Sequence, residues 1–494
     1  MKRIPCLLLC GLALAPTLAE AEAKTRPIHQ KLQPCKVEGL DEEALCGTLP
    51  VWENRTTKAG RKIDLKIVVV PAKSENPLPD PVFYFEGGPG YSATAQAGLV
   101  QFLESIHKDR DFVFVDQRGA GGSHPLMCPL PGDIDTNPQG LLSDLFPLDI
   151  LRTCLKDLSA KADLTQYTTS IAMDDVDEVR EWLGYQRINL YGGSYGTRAA
   201  QVYLRQHPEH VRSVVLSGVM IMDGRMPLYI ARKTQDAMDK LLDDCAAEES
   251  CRAAFPNLRD ELWAVMKRLD QGPVKQTVKH PKTGKPVELS ISKSPFTTAL
   301  RSLQYSPFKS VRIPLYVHKA AQGDYGPMIL EALAYFDDRG WAIGQYLAIT
   351  CAEDVARFGP QDVPALIEGT YQGDDRIRQQ VAACSFWPKA TVAADFWDPL
   401  RSPAPTLITT GWLDPATPPE WAVEVQRDLP NSVNVVIRDG SHGPGGLDNI
   451  QCYGKLISDF IANGTPYGLD TSCVKEMKRK PFLTKEEPEK GAEG

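Results

Sequence analysis

The chain has 494 residues, 43% hydrophobic and 24% charged, with 55 Lys and Arg against 63 Asp and Glu and a formal net charge of −8. This composition excludes a disordered or fibrous chain and fits one large domain carrying an insertion, or two domains. The acidic balance argues against nucleic acid or anionic membranes as partners, and no stretch beyond the N-terminus is long and apolar enough for stable membrane insertion.

Residues 1–23 read as an export signal: Lys2 and Arg3, an apolar run over 4–18, then Ala19, Ala21 and Ala23 as a cleavage region. A periplasmic or secreted location is therefore expected. A lipoprotein at Cys10 is the lesser alternative, because Leu9 precedes it and the apolar run continues beyond. Removal of the signal leaves Cys35, Cys46, Cys128, Cys154, Cys245, Cys251, Cys351, Cys384, Cys452 and Cys473. An even number in an exported chain reads as disulfides, and these ten fall into five sequential pairs, although sequence alone leaves the connectivity open. No Cys-x-x-Cys spacing or His cluster supports a structural metal site.

Short β-branched and aromatic runs at 63–70, 81–85, 112–115, 188–190, 211–216, 406–409 and 433–437 predict buried strands. Helical patterns at 173–183 and 197–206 lie between them, which predicts an α/β class with a mainly parallel central sheet. Residues 24–221 form the first part of this core and 400–474 its C-terminal part. Between them, 222–399 loses the strand rhythm and shows helical segments at 231–244, 258–269, 327–335 and 343–350, as expected of a large, mostly helical lid. Residues 475–494, rich in Lys, Glu and Pro, read as a mobile tail.

The chemistry concentrates in turns after strands. Gly192-Gly193-Ser194-Tyr195-Gly196 follows one strand and opens a helix, the context in which a strained turn lifts a serine hydroxyl above a sheet. Its partners are expected later, acid before base. Asp414 follows the strand at 406–409, and His442 stands in a Gly-rich loop after the strand at 433–437. A serine hydroxyl needs an imidazole to take its proton, and that imidazole needs a carboxylate to fix its tautomer. Asp439, on the histidine's own loop, is the rival acid. Glu86-Gly87-Gly88-Pro89-Gly90 stands where a second oxyanion donor is expected, so the N–H groups of Gly88 and Tyr195 are the candidate oxyanion hole; a plain Gly-Pro turn is the alternative.

Together with Asp116-Gln117-Arg118-Gly119, with Gly411-Trp412-Leu413-Asp414-Pro415-Ala416-Thr417-Pro418-Pro419 and with Ser441-His442-Gly443, these segments resemble the prolyl aminopeptidase family of α/β-hydrolase serine peptidases. The likeness is to its secreted tripeptidyl aminopeptidase branch and runs from about Cys46 to Cys473. It implies an α/β-hydrolase fold, release of proline or short peptides from free N-termini through an acyl-enzyme, and no metal or organic cofactor. It also implies carboxylates in or near the lid that hold the substrate ammonium. Glu353 and Asp354, in a cysteine-tethered turn, are candidates, with a helix-start acidic pair as the plainer alternative. Glu86 is another, although the cytoplasmic prolyl enzymes usually carry histidine there. Asp116 and Arg118 are expected to lock their turn by local ion pairing, and Phe386-Trp387 and Phe396-Trp397 to pack the lid and its hinge. An esterase or amidase using the same triad is the main rival, and a catalytically silent binding module would need a broken triad, which is not seen. The number of residues released and the oligomeric state are not legible.

Overall fold

A computed structural model of the protein describes residues 27–337 and 340–486. The expected signal and the last eight residues lie outside the described segments. Nine strands form one sheet in the order β1-β2-β3-β5-β4-β6-β7-β10-β11. They are β1 Gln33–Cys35, β2 Ala44–Trp52, β3 Lys62–Val70, β4 Val82–Phe85, β5 Phe112–Val115, β6 Ile188–Gly193, β7 Val211–Ser217, β10 Thr406–Gly411 and β11 Ser432–Ile437. From β5 to β11 all neighbours are parallel, whereas β1, β2 and β3 extend the sheet in antiparallel fashion. The central parallel strands are buried on both faces because helices cover them; β5, an unbroken apolar run, is buried at all four positions, and β10, apolar at Leu407 and Ile408 and otherwise Thr and Gly, at all six.

Strands β1 and β2 escape the sequence pattern. Gly47 and Pro50 interrupt β2, and proline is tolerated because β1 pairs only with Ala44–Cys46, leaving the outer edge free at Pro50.

The residues between β7 and β10 add no strand to the main sheet. Of their helices, Ile230–Ala247, Leu258–Asp270, Lys293–Leu303 and Gly326–Phe336 build a second core with Leu262, Phe296, Leu300, Ile313 and Met328 at its centre, whereas Ile343–Glu353 and Asp375–Cys384 pack in a separate cluster around Tyr346, Leu347 and Cys384. This region also holds an antiparallel hairpin, β8 Val274–Lys279 and β9 Pro286–Ile291, which the sequence pattern did not mark. Its alternation is muted by Lys on the exposed face, and no long apolar run marks it.

The expected tail needs correction over its described part. Residues Ser472–Glu476 form a 3₁₀ turn, Met477 is 1% exposed and Phe482 is 4% exposed within the lid core. Two isolated apolar anchors hold this segment, a device without periodicity. The described disulfides are Cys35–Cys46, Cys128–Cys154, Cys245–Cys251, Cys351–Cys384 and Cys452–Cys473, all between sequential cysteines. No described helix is long and apolar enough to cross a membrane.

Candidate active site

The C-terminal ends of β4, β6, β7, β10 and β11 lie along one edge of the sheet, and the site is assembled from the turns that follow them. Ser194 sits between β6 and the helix Tyr195–Gln206 with φ 56° and ψ −125°. A non-glycine residue held at positive φ costs on the order of 1–3 kcal/mol, so its surroundings must enforce it. They do: the Ser194 N–H donates to the carbonyl of Ser217 at 3.0 Å, and the Thr197 hydroxyl donates to the Ser194 carbonyl at 2.6 Å. The flanking glycines are required by contact. A Cβ on Gly196 would lie 2.0 Å from the Phe85 carbonyl oxygen, and one on Gly192 would lie 2.3 Å from that of Gly196.

Asp414 and His442 arrive from β10 and β11. Nδ1 of His442 stands 3.0 and 2.9 Å from the two carboxylate oxygens of Asp414, which is 2% exposed. Asp414 Oδ1 also accepts the N–H groups of Ala416 and Thr417 at 2.8 and 2.9 Å, and Oδ2 accepts the Thr417 hydroxyl at 2.8 Å. Asp439 turns elsewhere, accepting the Arg479 N–H at 3.2 Å. The imidazole lies edge-on to Tyr305, ring centroids 4.8 Å apart.

The loop after β4 closes over the serine. A Cβ on Gly87 would stand 2.9 Å from Ser194 Cβ and 3.4 Å from its Oγ. Buried Asp116 holds this loop, accepting from the Ser92 hydroxyl, the Thr94 N–H and hydroxyl, and the Gly122 N–H at 2.8–3.0 Å. Arg118 does not pair with it. Its guanidinium forms a bidentate pair with Asp175 at 2.6 and 2.8 Å and donates to three backbone carbonyls, so the expected local ion pair is replaced by two separate anchors.

Ser194, His442, Glu86 and Gly88 line one cavity of about 460 Å³ beneath the lid, within the range of small-molecule sites. Glu86 Oε2 accepts the Tyr84 hydroxyl at 2.8 Å and Oε1 accepts the Gly87 N–H at 2.9 Å. Burial pushes its carboxyl pKa up, against the opposing pull of those bonds and of nearby His442.

Glu353 and Asp354 do not line this cavity, which corrects the expectation that one or the other is aimed at a substrate amine. Both are fully buried. Glu353 accepts the Thr169 N–H and hydroxyl at 2.7 Å each, and the Thr169 hydroxyl is 2.7 Å from that of Tyr195. Asp354 pairs with Arg198 at 2.8 Å. Burial raises their pKa values to about 7 and about 6, with Arg198 opposing in both cases. The adjacent Cys351 tethers them into the core instead of aiming them at the cavity. Phe386, Trp387, Phe396 and Trp397 are likewise absent from the wall and belong to the core clusters.

The wall contains residues no motif announced: Tyr91, Arg301, Tyr305, Trp341, Tyr346 and Arg376. Outside the wall, Thr417 donates to the Asp414 carboxylate and stands 3.2 Å from His442 Nδ1, and its place three residues after the acid is a readable signal. Asp177, His207 and His210 bring potential metal ligands within 4.8 Å of one another, away from this cavity. Arg180 already donates to the Asp177 carboxylate at 2.7 Å, which opposes a cation there.

A family model for the alpha/beta hydrolase fold matches residues 80–445. The serine protease Hip1 of Mycobacterium tuberculosis is 24% identical over 466 residues, covering 87% of each chain. The tripeptidyl aminopeptidase of Streptomyces lividans is 24% identical over 442 residues, covering 81% of this chain and 78% of its own. The proline iminopeptidase of Neisseria gonorrhoeae is 28% identical over 149 residues, 30% of this chain and 36% of its own. With a serine on the elbow and an Asp–His pair beside it, the chain is a serine hydrolase and belongs to the alpha/beta hydrolase fold family.

Proposed function

We propose that this protein is an exported serine exopeptidase that removes proline or short peptides from free N-termini, with Ser194 as nucleophile, His442 as general base and Asp414 orienting it. Ser194 Oγ attacks the scissile carbonyl carbon as its proton passes to His442 Nε2, while Asp414 holds the Nδ1–H. The N–H groups of Gly88 and Tyr195 receive the oxyanion, the latter at the start of a helix whose dipole favours negative charge. His442 then protonates the leaving amine, leaving an acyl-enzyme, and next draws a proton from the water that hydrolyses it. Glu86, beside the loop that touches Ser194, takes the substrate ammonium, since a carboxylate accepting two hydrogen bonds keeps lone pairs to spare.

The observation that carries this reading is one cavity uniting Ser194, His442 and the Glu86 carboxylate with side chains of residues 222–399 such as Arg301 and Trp341. The relatives named serine protease and tripeptidyl aminopeptidase over most of both chains support it, and five disulfides fit an oxidising compartment. The test is hydrolysis of prolyl, alanyl and tripeptidyl fluorogenic amides, each free and N-acetylated, beside a short-chain ester. Loss of cleavage on acetylation is expected. Indifference to acetylation, or cleavage of the ester alone, would make the protein an esterase or amidase instead.

A further inference from the structure

The lid presents two arginines to the catalytic cavity, Arg301 from the helix Lys293–Leu303 and Arg376 from the helix Asp375–Cys384. Arg301 lies over the ring of Tyr305, its guanidinium carbon 4.8 Å from the centroid, and its Nε donates to the Thr234 hydroxyl at 3.2 Å. Arg376 lies over Phe146 at 4.4 Å and donates from Nη2 to the Tyr346 hydroxyl at 2.8 Å. Its Nε and Nη1 are buried with no hydrogen-bond partner among the described residues. Among the described residues, no carboxylate oxygen lies within 4.0 Å of either guanidinium.

These two arginines, each partly buried, differ from the buried ones of the core. Arg110, Arg118 and Arg198 are paired with Asp80, Asp175 and Asp354 at 2.9, 2.6 and 2.8 Å. Burying a cation without a counter-ion is costly, so each of these carries one. The two cavity arginines line the same cavity as Tyr305. Burial raises the Tyr305 hydroxyl pKa to about 12, and both guanidiniums pull against that rise. Glu86 is the one carboxylate among the described residues lining the cavity, and it is held at the sheet edge by Tyr84 and Gly87. Negative charge therefore sits at the sheet edge and two positive charges on the lid.

We propose that Arg301 and Arg376 form a carboxylate-binding subsite, so that the favoured substrates are short peptides carrying a carboxylate as well as a free N-terminus. The carboxylate comes from the peptide's own C-terminus or from an acidic side chain. A guanidinium matches a carboxylate with paired, charge-assisted hydrogen bonds, and either source supplies the missing counter-ion. The ammonium half of this arrangement rests on the exopeptidase reading above; the carboxylate half does not.

The test compares substrates differing only in that group: tetra-alanine as the C-terminal acid and as the amide, and C-terminally amidated peptides with Glu or Gln on either side of the cleaved bond. Wild type is expected to favour the charged member of at least one pair by about tenfold or more in kcat/KM, the scale of one charge-assisted hydrogen bond. The first pair identifies a C-terminal source and the second a side chain. Arg376→Gln, Arg301→Gln and the double variant should drive that ratio towards one. Because it is taken within one preparation, the amount of active protein cancels. Calorimetry with Ser194→Ala gives a readout free of turnover, with tetra-alanine acid expected to bind more tightly than its amide if the C-terminus is the source, and the Glu peptide more tightly than its Gln partner if the side chain is. Should acetylation prove irrelevant to cleavage, a carboxylate-bearing ester against its neutral analogue makes the same comparison. A wild-type ratio near one in every pair, or a preference that survives the double variant, overturns the proposal.

Discussion

Replacing Asp414 by Asn changes one oxygen to an NH₂ group and leaves the volume alone, so its effect isolates what the carboxylate does for His442. Oδ1 receives two backbone N–H groups, from Ala416 and Thr417 at 2.8 and 2.9 Å. The carboxamide oxygen must keep that place, which puts the NH₂ where Oδ2 stood, 2.9 Å from His442 Nδ1. Two donors cannot face each other there. The imidazole is forced to accept at Nδ1 and to carry its proton on Nε2, the tautomer that cannot take the Ser194 proton. A triad locked in that tautomer loses about 10⁴-fold in kcat. Asp439→Asn should change kcat by less than about twofold, since it disturbs one hydrogen bond of 3.2 Å to Arg479 on a partly exposed loop. The assay is steady-state hydrolysis of a free aminoacyl amide by both variants, with thermal unfolding to confirm the fold. An Asp414→Asn enzyme within fivefold of wild type, or an equal loss from Asp439→Asn, would refute the assignment.

Ser194→Ala should abolish turnover with the fold intact, checked by circular dichroism and substrate binding. Gly87→Ala places a methyl 2.9 Å from Ser194 Cβ and should lower kcat about 100-fold or more, whereas retained activity would show that the loop yields easily. Glu353, ordinarily near 4.5, titrates at about 7 when buried, and Asp354, ordinarily near 3.8, at about 6. The folded protein thus holds these protons more tightly than the unfolded chain, and their contribution to stability is lost as pH rises from about 4 to 7. Glu353→Gln should flatten that part of the Tm against pH curve; an unchanged slope would place the titration elsewhere. Cys351→Ser with Cys384→Ser opens a 33-residue link and should cost about 3–4 kcal/mol of stability in denaturant unfolding.

The Ser194 elbow was legible because its constraints are local, and so were the positions of Asp414 and His442, the proposed acid and base. Gly192 and Gly196 must flank Ser194 where a helix packs against β4, and Asp414 and His442 follow β10, buried throughout, and β11, a half-buried edge strand, both with visible β-branched runs. Apolar periodicity likewise marked seven core strands and four of the lid helices. It failed where packing was sparse or edge-bound: β1, β2, the β8–β9 hairpin, and the segment pinned by Met477 and Phe482.

What surrounds the serine was decided by tertiary structure alone. Glu353 and Glu86 both read as acids near the site, yet one is walled into the core by Thr169 and the other faces the cavity. Asp116 and Arg118 are two residues apart but find separate partners. Arg301 and Arg376, 75 positions apart, meet only because two lid helices bring them to one wall. Spacing along the chain encodes which face of an element a residue occupies. Which faces meet across a lid of several helices depends on long-range packing, and that is a property of the folded whole.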